Sequence, residues 1–488
     1  MTNVHRTLAL ILYLIAVPLF AQNAHPANPK LTFASNSPTT TNNDDSCDIG
    51  IYPAATLLLP YFETDINAPS STALDTIFTV TNTTRLPQIA HVTVWTDFSY
   101  PVLDFNLFLT GYDVQGISMY DVIVNGMIAP HAGTAGTSVN DTSGSLSLSN
   151  TTGNPNIVVA NCDQLPGFIP ASILANLRTA LTVGIAPVTC GSSRVGATHA
   201  NAIGYVTIDV TSRCSTTLPN DPTYFANEIL FDNVFIGDYA MIAKNPATGN
   251  FAGGNPLVHI RAVPEGGAAG TPLVGQQTNL PYTFYSRFIN GQTVGATTFT
   301  GTLLNMDRRQ PLPSVFSARY IQGGATVFNT NLKVWREGRT GPVSCSNAIS
   351  NSALPIAEII RFDEHENPMT YNSGIIISPS VPANITMPET SSASTASGLY
   401  PPMNSPAGDV AGWMYLNLNS GLTTGGVNTV LHPAFPPRAS QNWVLISMFA
   451  EGRFGVDFDA AQLANGCTPP MGIVTPVNPI APGPNATP

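Results

Sequence analysis

The sequence predicts a mainly β protein made of two or more antiparallel β-sandwich domains of Ig-like type, with long loops and one or two short helices. Three observations predict it. Runs such as Thr76–Asn82 and His91–Thr96 alternate apolar with hydroxyl residues at period two, the pattern of a strand with one face in a core and one in water. Asn, Pro, Gly and Asp punctuate these runs at spacings that suit the turns of a sandwich. Charged residues make up 10% of the chain and hydrophobic residues 43%, whereas an average soluble domain is about 25% charged. The polar surface therefore falls to Thr, Ser, Asn, Gly and Gln, and the composition is the opposite of a charge-rich, apolar-poor disordered chain.

Taken in order, residues 1–24 read as a signal peptide. Arg6 closes a positive n-region, Thr7–Phe20 is apolar, and Ala21 and Ala24 offer small residues at a cut site. The apolar run falls short of the roughly 20 residues that span a bilayer. The expectation is export to the periplasm, the cell surface or the exterior, with no membrane span after signal removal. Residues 25–46, rich in Asn, Thr, Ser and Pro, form a flexible lead-in. A first sandwich domain is expected over 47–218. Its strands are Thr76–Asn82, His91–Thr96, Phe105–Thr110 and Gly204–Val210, and a helix over Ala171–Leu181 is set up by Pro170 just before its first turn. A second β-rich domain over 219–468 holds strands at Leu257–Arg261, Thr283–Phe288, Asn331–Arg336, Gly412–Leu418 and Asn442–Met448. It is expected to carry a further short helix within Phe225–Tyr239 and a long surface loop over 380–410. Residues 469–488 are a Pro-rich, extended tail. The segments His91–Asp97 and Asn331–Glu337 share a Val-Trp strand followed by an acid; related domains and convergent strand composition both explain the echo.

The six cysteines are Cys47, Cys162, Cys190, Cys214, Cys345 and Cys467. An even count in an exported chain points to disulfides, and no CxxC or CxxH spacing suits zinc. The pairing expected is Cys162–Cys190 locally, Cys345–Cys467 as a long closure, and Cys47–Cys214 as a clasp on the first domain.

Net charge is −11, and lysine occurs only at Lys30, Lys244 and Lys333. No basic cluster exists to displace counterions, which excludes nucleic acid and disfavours anionic membranes as partners. Self-association or a surface polysaccharide remain as partners. Asp97, Asp104, Asp113 and Asp121 offer carboxylates for Ca²⁺ or for acid–base work on a glycosidic bond; placed at strand ends, they equally cap turns, and that is the expectation. Asp363, Glu364, His365 and Glu366 form the densest polar cluster. His365 beside carboxylates suits a metal or a proton shuttle, while the following Asn367-Pro368 marks a turn. Asp307-Arg308-Arg309 suits internal ion pairs as well as an acidic ligand. No Gly-x-Ser-x-Gly elbow occurs; Gly191–Gly196 beside His199 is the nearest stretch and lacks its strand–elbow–helix setting. No phosphate-binding glycine loop occurs either. Trp95, Trp335, Trp413 and Trp443 all lie in expected strands, where they anchor a core or stack on sugars. No catalytic, cofactor-binding or metal-binding residue and no cofactor is assigned.

The blocks Ala54–Glu63, Val94–Asp97, Pro101–Asp113, Asp307–Pro313 and Val334–Glu337 resemble a group of bacterial secreted proteins of unknown function. The resemblance implies export and a bacterial source, and it carries no activity. The function expected is a non-enzymatic structural or adhesive protein at or beyond the cell surface, with a carbohydrate-binding module or glycoside-active enzyme as the alternative.

Overall fold

A computed structural model describes residues 49–128 except 51 and 87, 145–148, 169–211, and parts of 217–260, 293–298, 312–336, 345, 354–370, 386–394, 411–418 and 442–465. The expected signal peptide, lead-in and tail lie outside the described residues. So do Thr283–Phe288, Asp307–Arg309, and Cys47, Cys162, Cys214 and Cys467.

The chain is mainly β. Its strands begin with β1 (Ile49–Gly50), β2 (Thr56–Thr64), β3 (Asp75–Asn82), β4 (Gln88–Thr96), β5 (Pro101–Leu109), β6 (Val114–Ser118), β7 (Ser145–Leu148) and β8 (Ala202–Thr211). They continue with β9 (Phe235–Ile236), β10 (Asp238–Asn245), β11 (Gly249–Pro256), β12 (Val258–Ile260), β13 (Thr293–Val294), β14 (Thr297–Thr298), β15 (Pro313–Ile321) and β16 (Phe328–Arg336). The last are β17 (Leu354–Pro355), β18 (Glu358–Asp363), β19 (Pro368–Thr370), β20 (Thr386–Met387), β21 (Thr390–Ser394), β22 (Ala411–Asn417), β23 (Asn442–Ala450), β24 (Arg453–Asp459) and β25 (Ala461–Asn465). Helices α1 (Ala171–Thr182) and α2 (Pro187–Cys190) and a π-helical turn at Asp121–Asn125 complete the described elements.

Three sheets organise these strands. The first runs β1-β12-β2-β8-β4-β5-β7, and every ladder in it is antiparallel. The second runs β21-β16-β23-β24-β11-β10-β3-β6, with β9 also on β3 and one parallel ladder, β11 on β24. The third runs β19-β18-β22-β15-β25. Two short ribbons, β13–β14 and β17–β20, stand apart.

Alternation along β16 and β23 explains the layering. Lys333, Trp335, Trp443 and Leu445 fall on one face, and Leu332, Val334, Val444 and Ile446 on the other. Trp335, Trp443 and Leu445 join a large core with Leu57, Val92, Phe105 and Ile208 of the first sheet. Leu332, Val334, Val444 and Ile446 join a second core with Phe316, Ala318, Met414 and Leu416 of the third. The second sheet is thus covered on both faces here, which is why Asn442–Ala450 reads as a nearly unbroken apolar run rather than an alternating one.

Strand β3 shows the expected one-faced alternation, with Phe78 and Val80 in and Ile77 and Thr79 half-buried. β4 does not: His91, Thr93 and Trp95, expected to include a water-facing set, are all fully buried. The helix expected over Ala171–Leu181 is α1, whose inward stripe is Asn176, Leu177, Ala180 and Leu181. Within Phe225–Tyr239 the expected helix is not what forms toward the C-terminal side: β9 and the start of β10 occupy Phe235–Tyr239, because β3 pairs there with both strands.

The expected cysteine pairing is corrected. Cys190 bonds to Cys345, with Cα atoms 5.1 Å apart across 155 residues of sequence, so neither Cys162–Cys190 nor Cys345–Cys467 forms. Local spacing favoured the former, but the end of α2 sets Cys190 beside Cys345, whose Sγ also approaches Tyr100 Oη and the Thr189 carbonyl oxygen. Strand pairing also crosses the boundary expected at 218/219: β3 pairs with β10, and β2 with β12. The two echoing segments meet rather than occupy separate cores. Tyr205 stacks on Trp95 at 5.7 Å and meets Trp335 edge-on at 5.9 Å.

Candidate functional site

The first sheet is polar on one of its two buried faces. Register places Thr56, Asp209, His91 and Asn106 in one row across β2, β8, β4 and β5. Thr207, Thr93 and Asp104 form the next row on the same face. All seven are at most 2% exposed, so each polar atom needs an internal partner. Asp209 accepts hydrogen bonds from Thr56 Oγ1 and Tyr224 Oη, each at 2.7 Å. His91 Nδ1 donates to Asn106 Oδ1 at 2.9 Å, and Tyr224 lies over its ring at 5.2 Å. Trp95 Nε1 donates to Thr207 Oγ1 at 2.8 Å. Burial pushes His91 down to about 4, so the imidazole is neutral at neutral pH. Burial pushes Asp104 up to about 8, so its carboxyl keeps a proton there. Asp104 is therefore not a strand-end cap, as its sequence setting suggested; it lies in the middle of β5, opposite Thr93.

The other first-domain acids do close turns. Asp97 follows β4 and is 1% exposed. It accepts the Ala197 N–H at 3.1 Å and pairs with His199 Nε2 at 2.9 Å, pinning the 195–199 segment to the strand end. Asp113 accepts from the N–H and hydroxyl of Thr110. Asp121 sits in the first turn of the π-helical segment and accepts from Asn125 Nδ2.

The polar cluster Asp363–Glu366 occupies the turn between β18 and β19. Asp363 Oδ1 accepts the N–H groups of His365 and Asn367, each at 2.8 Å, and Oδ2 accepts Asn367 Nδ2 at 2.9 Å. The Asn367 side chain, with these N–H donors, holds the Asp363 carboxyl below the usual range. Glu364, His365 and Glu366 are exposed. The turn lies in the third sheet and Asp104 in the first, so the structure does not bring the two sets of acids into one ladder. Among the described residues, no three His, Cys, Asp or Glu side chains are grouped to hold a metal ion.

Beside this turn lies an aromatic row of which the sequence singled out only Trp413. Phe362 and Trp413 face each other across β18 and β22 and stack at 4.1 Å with planes 10° apart. Tyr415 continues the row on the same face, and Arg319 stands opposite Trp413 on β15. Trp413, Phe362 and Tyr415 are half-buried and Arg319 is exposed, whereas the reverse face carries the buried Met414, Leu416, Ala318 and Tyr320. Of the four tryptophans, Trp95, Trp335 and Trp443 are core anchors and Trp413 is not. Period-two alternation in Gly412–Leu418 signals a two-faced strand, but only cross-strand pairing with Phe362 reveals the platform.

A third cluster lies between the first and second sheets. Lys333 Nζ is 3.3 Å from Asp457 Oδ2, and the two side chains are 6% and 0% exposed. Ser447 donates to Asp457 Oδ1, and Trp443 Nε1 donates to Asp459 Oδ1 at 3.1 Å. Burial pushes Asp459 up to about 6, and raises Tyr61 and Tyr239 well above the ordinary phenol range. Among the described residues, no helix is long and apolar enough to cross a membrane. No family model, curated protein or solved structure matches the chain.

Proposed function

We propose that the chain is an exported, non-enzymatic protein with a structural or adhesive role at the cell surface or outside it. The observation that carries the reading is the inward commitment of its chemistry-bearing groups. Asp97 is closed into turn hydrogen bonding, Asp104 is buried within β5, and three of the four tryptophans are packed in the cores. Export rests on the N-terminal signal pattern and on the resemblance to secreted bacterial proteins. The Cys190–Cys345 disulfide is compatible with an oxidising compartment. Tyr112 and Val114, 70% and 57% exposed, lie just before and at the start of β6, which ends the second sheet among the described residues and offers an edge for a further copy.

A second reading, carbohydrate binding, is favoured by the Phe362–Trp413–Tyr415 row. Aromatic faces beside exposed Arg319, Glu364 and Glu366 suit sugar rings and their hydroxyls. Light scattering on the purified, oxidised protein, followed by a glycan array, separates the two. Large assemblies without glycan binding support the structural role. A monomer that binds a defined polysaccharide, and loses that binding in Trp413→Ala, replaces it with the second reading.

A further inference from the structure

We propose that Lys333 and Asp457 join through an intramolecular amide bond that ties β16 to β24 across β23. Lysine is scarce in this chain, yet Lys333 is sealed between two sheets. Among its neighbours are Met241 Sδ at 3.0 Å and the Tyr61 ring at 5.7 Å, besides the Asp457 carboxyl. A buried ion pair of this kind carries a desolvation penalty that its attraction often fails to offset. A neutral amide removes both charges. Nζ lies 3.3 Å from Oδ2, which holds the nitrogen beside the carboxyl that it would attack.

The backbone is shaped for this contact. Ser447 and Asp457 face each other in the β23–β24 ladder, and Lys333 faces Leu445 two pairs further along. Lys333 therefore reaches diagonally over β23 on the face it shares with Ser447. Gly253 leaves room for Asp457: a Cβ at that position would lie 2.4 Å from the Asp457 Cβ. The step balances within the pair. One ammonium proton passes to Oδ2, the freed Nζ lone pair attacks Cγ, the C–N bond forms, and the Cγ–Oδ2 bond breaks. The two protons that the ammonium gives up leave on Oδ2 as water. Oδ1 remains as the amide carbonyl, and the Ser447 hydroxyl already donates to it, where negative charge develops during attack. Asp459 lies two residues on along the same face of β24, and burial keeps its carboxyl protonated to higher pH than usual, a local source and sink for the proton in transit. Closure of the sheets over the pair keeps out the water that would reverse the bond.

The test is peptide mapping by mass spectrometry on the purified, folded full chain after disulfide reduction. The expected result is a branched peptide carrying both Lys333 and Asp457, lighter by one water than its two parts together. Lys333→Ala and Asp457→Ala should give separate peptides of full mass. Asp457→Asn keeps the side-chain shape and should release ammonia instead of water, ending at the same linked mass. Ser447→Ala should lower the linked fraction at early times after synthesis. A folded wild-type chain, shown to melt cooperatively, that yields separate Lys333 and Asp457 peptides of full mass overturns the proposal.

Discussion

At the scale of single residues, the buried polar face of the first sheet makes stability depend on pH in a way that names its cause. Asp104 holds its proton to about pH 8, against an ordinary value of 3.8. Between those values the folded chain binds a proton that the unfolded chain releases, so stability falls as pH rises through that window. His91 acts in the opposite sense: its folded value of about 4 lies below 6.5, so stability falls as pH drops from 6.5 toward 4. The two oppose each other below pH 6.5, and the interval from 6.5 to 8 belongs to Asp104. Calorimetry should therefore show Tm declining across pH 6.5–8 in the wild type and a flatter profile in Asp104→Asn. An unchanged slope would remove Asp104 as the cause. The sequence placed Asp104 at a strand end, just before Phe105, where an acid caps a turn; only the pairing of β5 with β4 shows it inside the strand, on a face covered by another layer. Gly204 was equally silent: a Cβ there would lie 2.1 Å from the Trp95 carbonyl oxygen, a contact set by a neighbouring strand and invisible in local sequence.

At the scale of elements, what was legible was local. Pro170 followed by a helical stripe of Leu177 and Leu181 specifies α1 without help from the rest of the chain, and the same holds for the period-two runs that became β3, β8 and β16. What needed partners was not legible. The Cys190–Cys345 bridge joins α2 to a segment 155 residues away, and nothing near either cysteine encodes that distance. Opening a closure this long should cost about 2–4 kcal/mol. The double variant Cys190→Ala/Cys345→Ala should show a lower urea midpoint than the oxidised wild type and match the wild type measured in reductant. Equal midpoints in all three samples would mean that the surrounding sheets hold the segment without the bond. The platform of Phe362, Trp413 and Tyr415 was missed for the same reason as the bridge: it exists only once β18 and β22 are paired in register.

At the scale of the whole molecule, the second sheet draws strands from nearly the full described length, from β3 and β6 near the start to β23 and β24 near the end. Strand pairing continues across the boundary expected at residue 218. A fragment of residues 47–218 would lack β10 beside β3, β12 beside β2, and Trp335 against Tyr205. It should show no cooperative thermal transition and poor NMR dispersion; a fragment that melts cooperatively would restore the boundary at 218. The parallel ladder of β11 on β24 sets residues near 250 against residues near 454. A nascent chain made from the N-terminus therefore cannot close its middle layer until its last strands have emerged. Until then the β11-β10-β3-β6 group waits with the β11 edge open, a slow, long-range closure of the kind that invites chaperones to hold the chain. Delay in folding, often a hazard, would here keep the polypeptide threadable for as long as it is still being made.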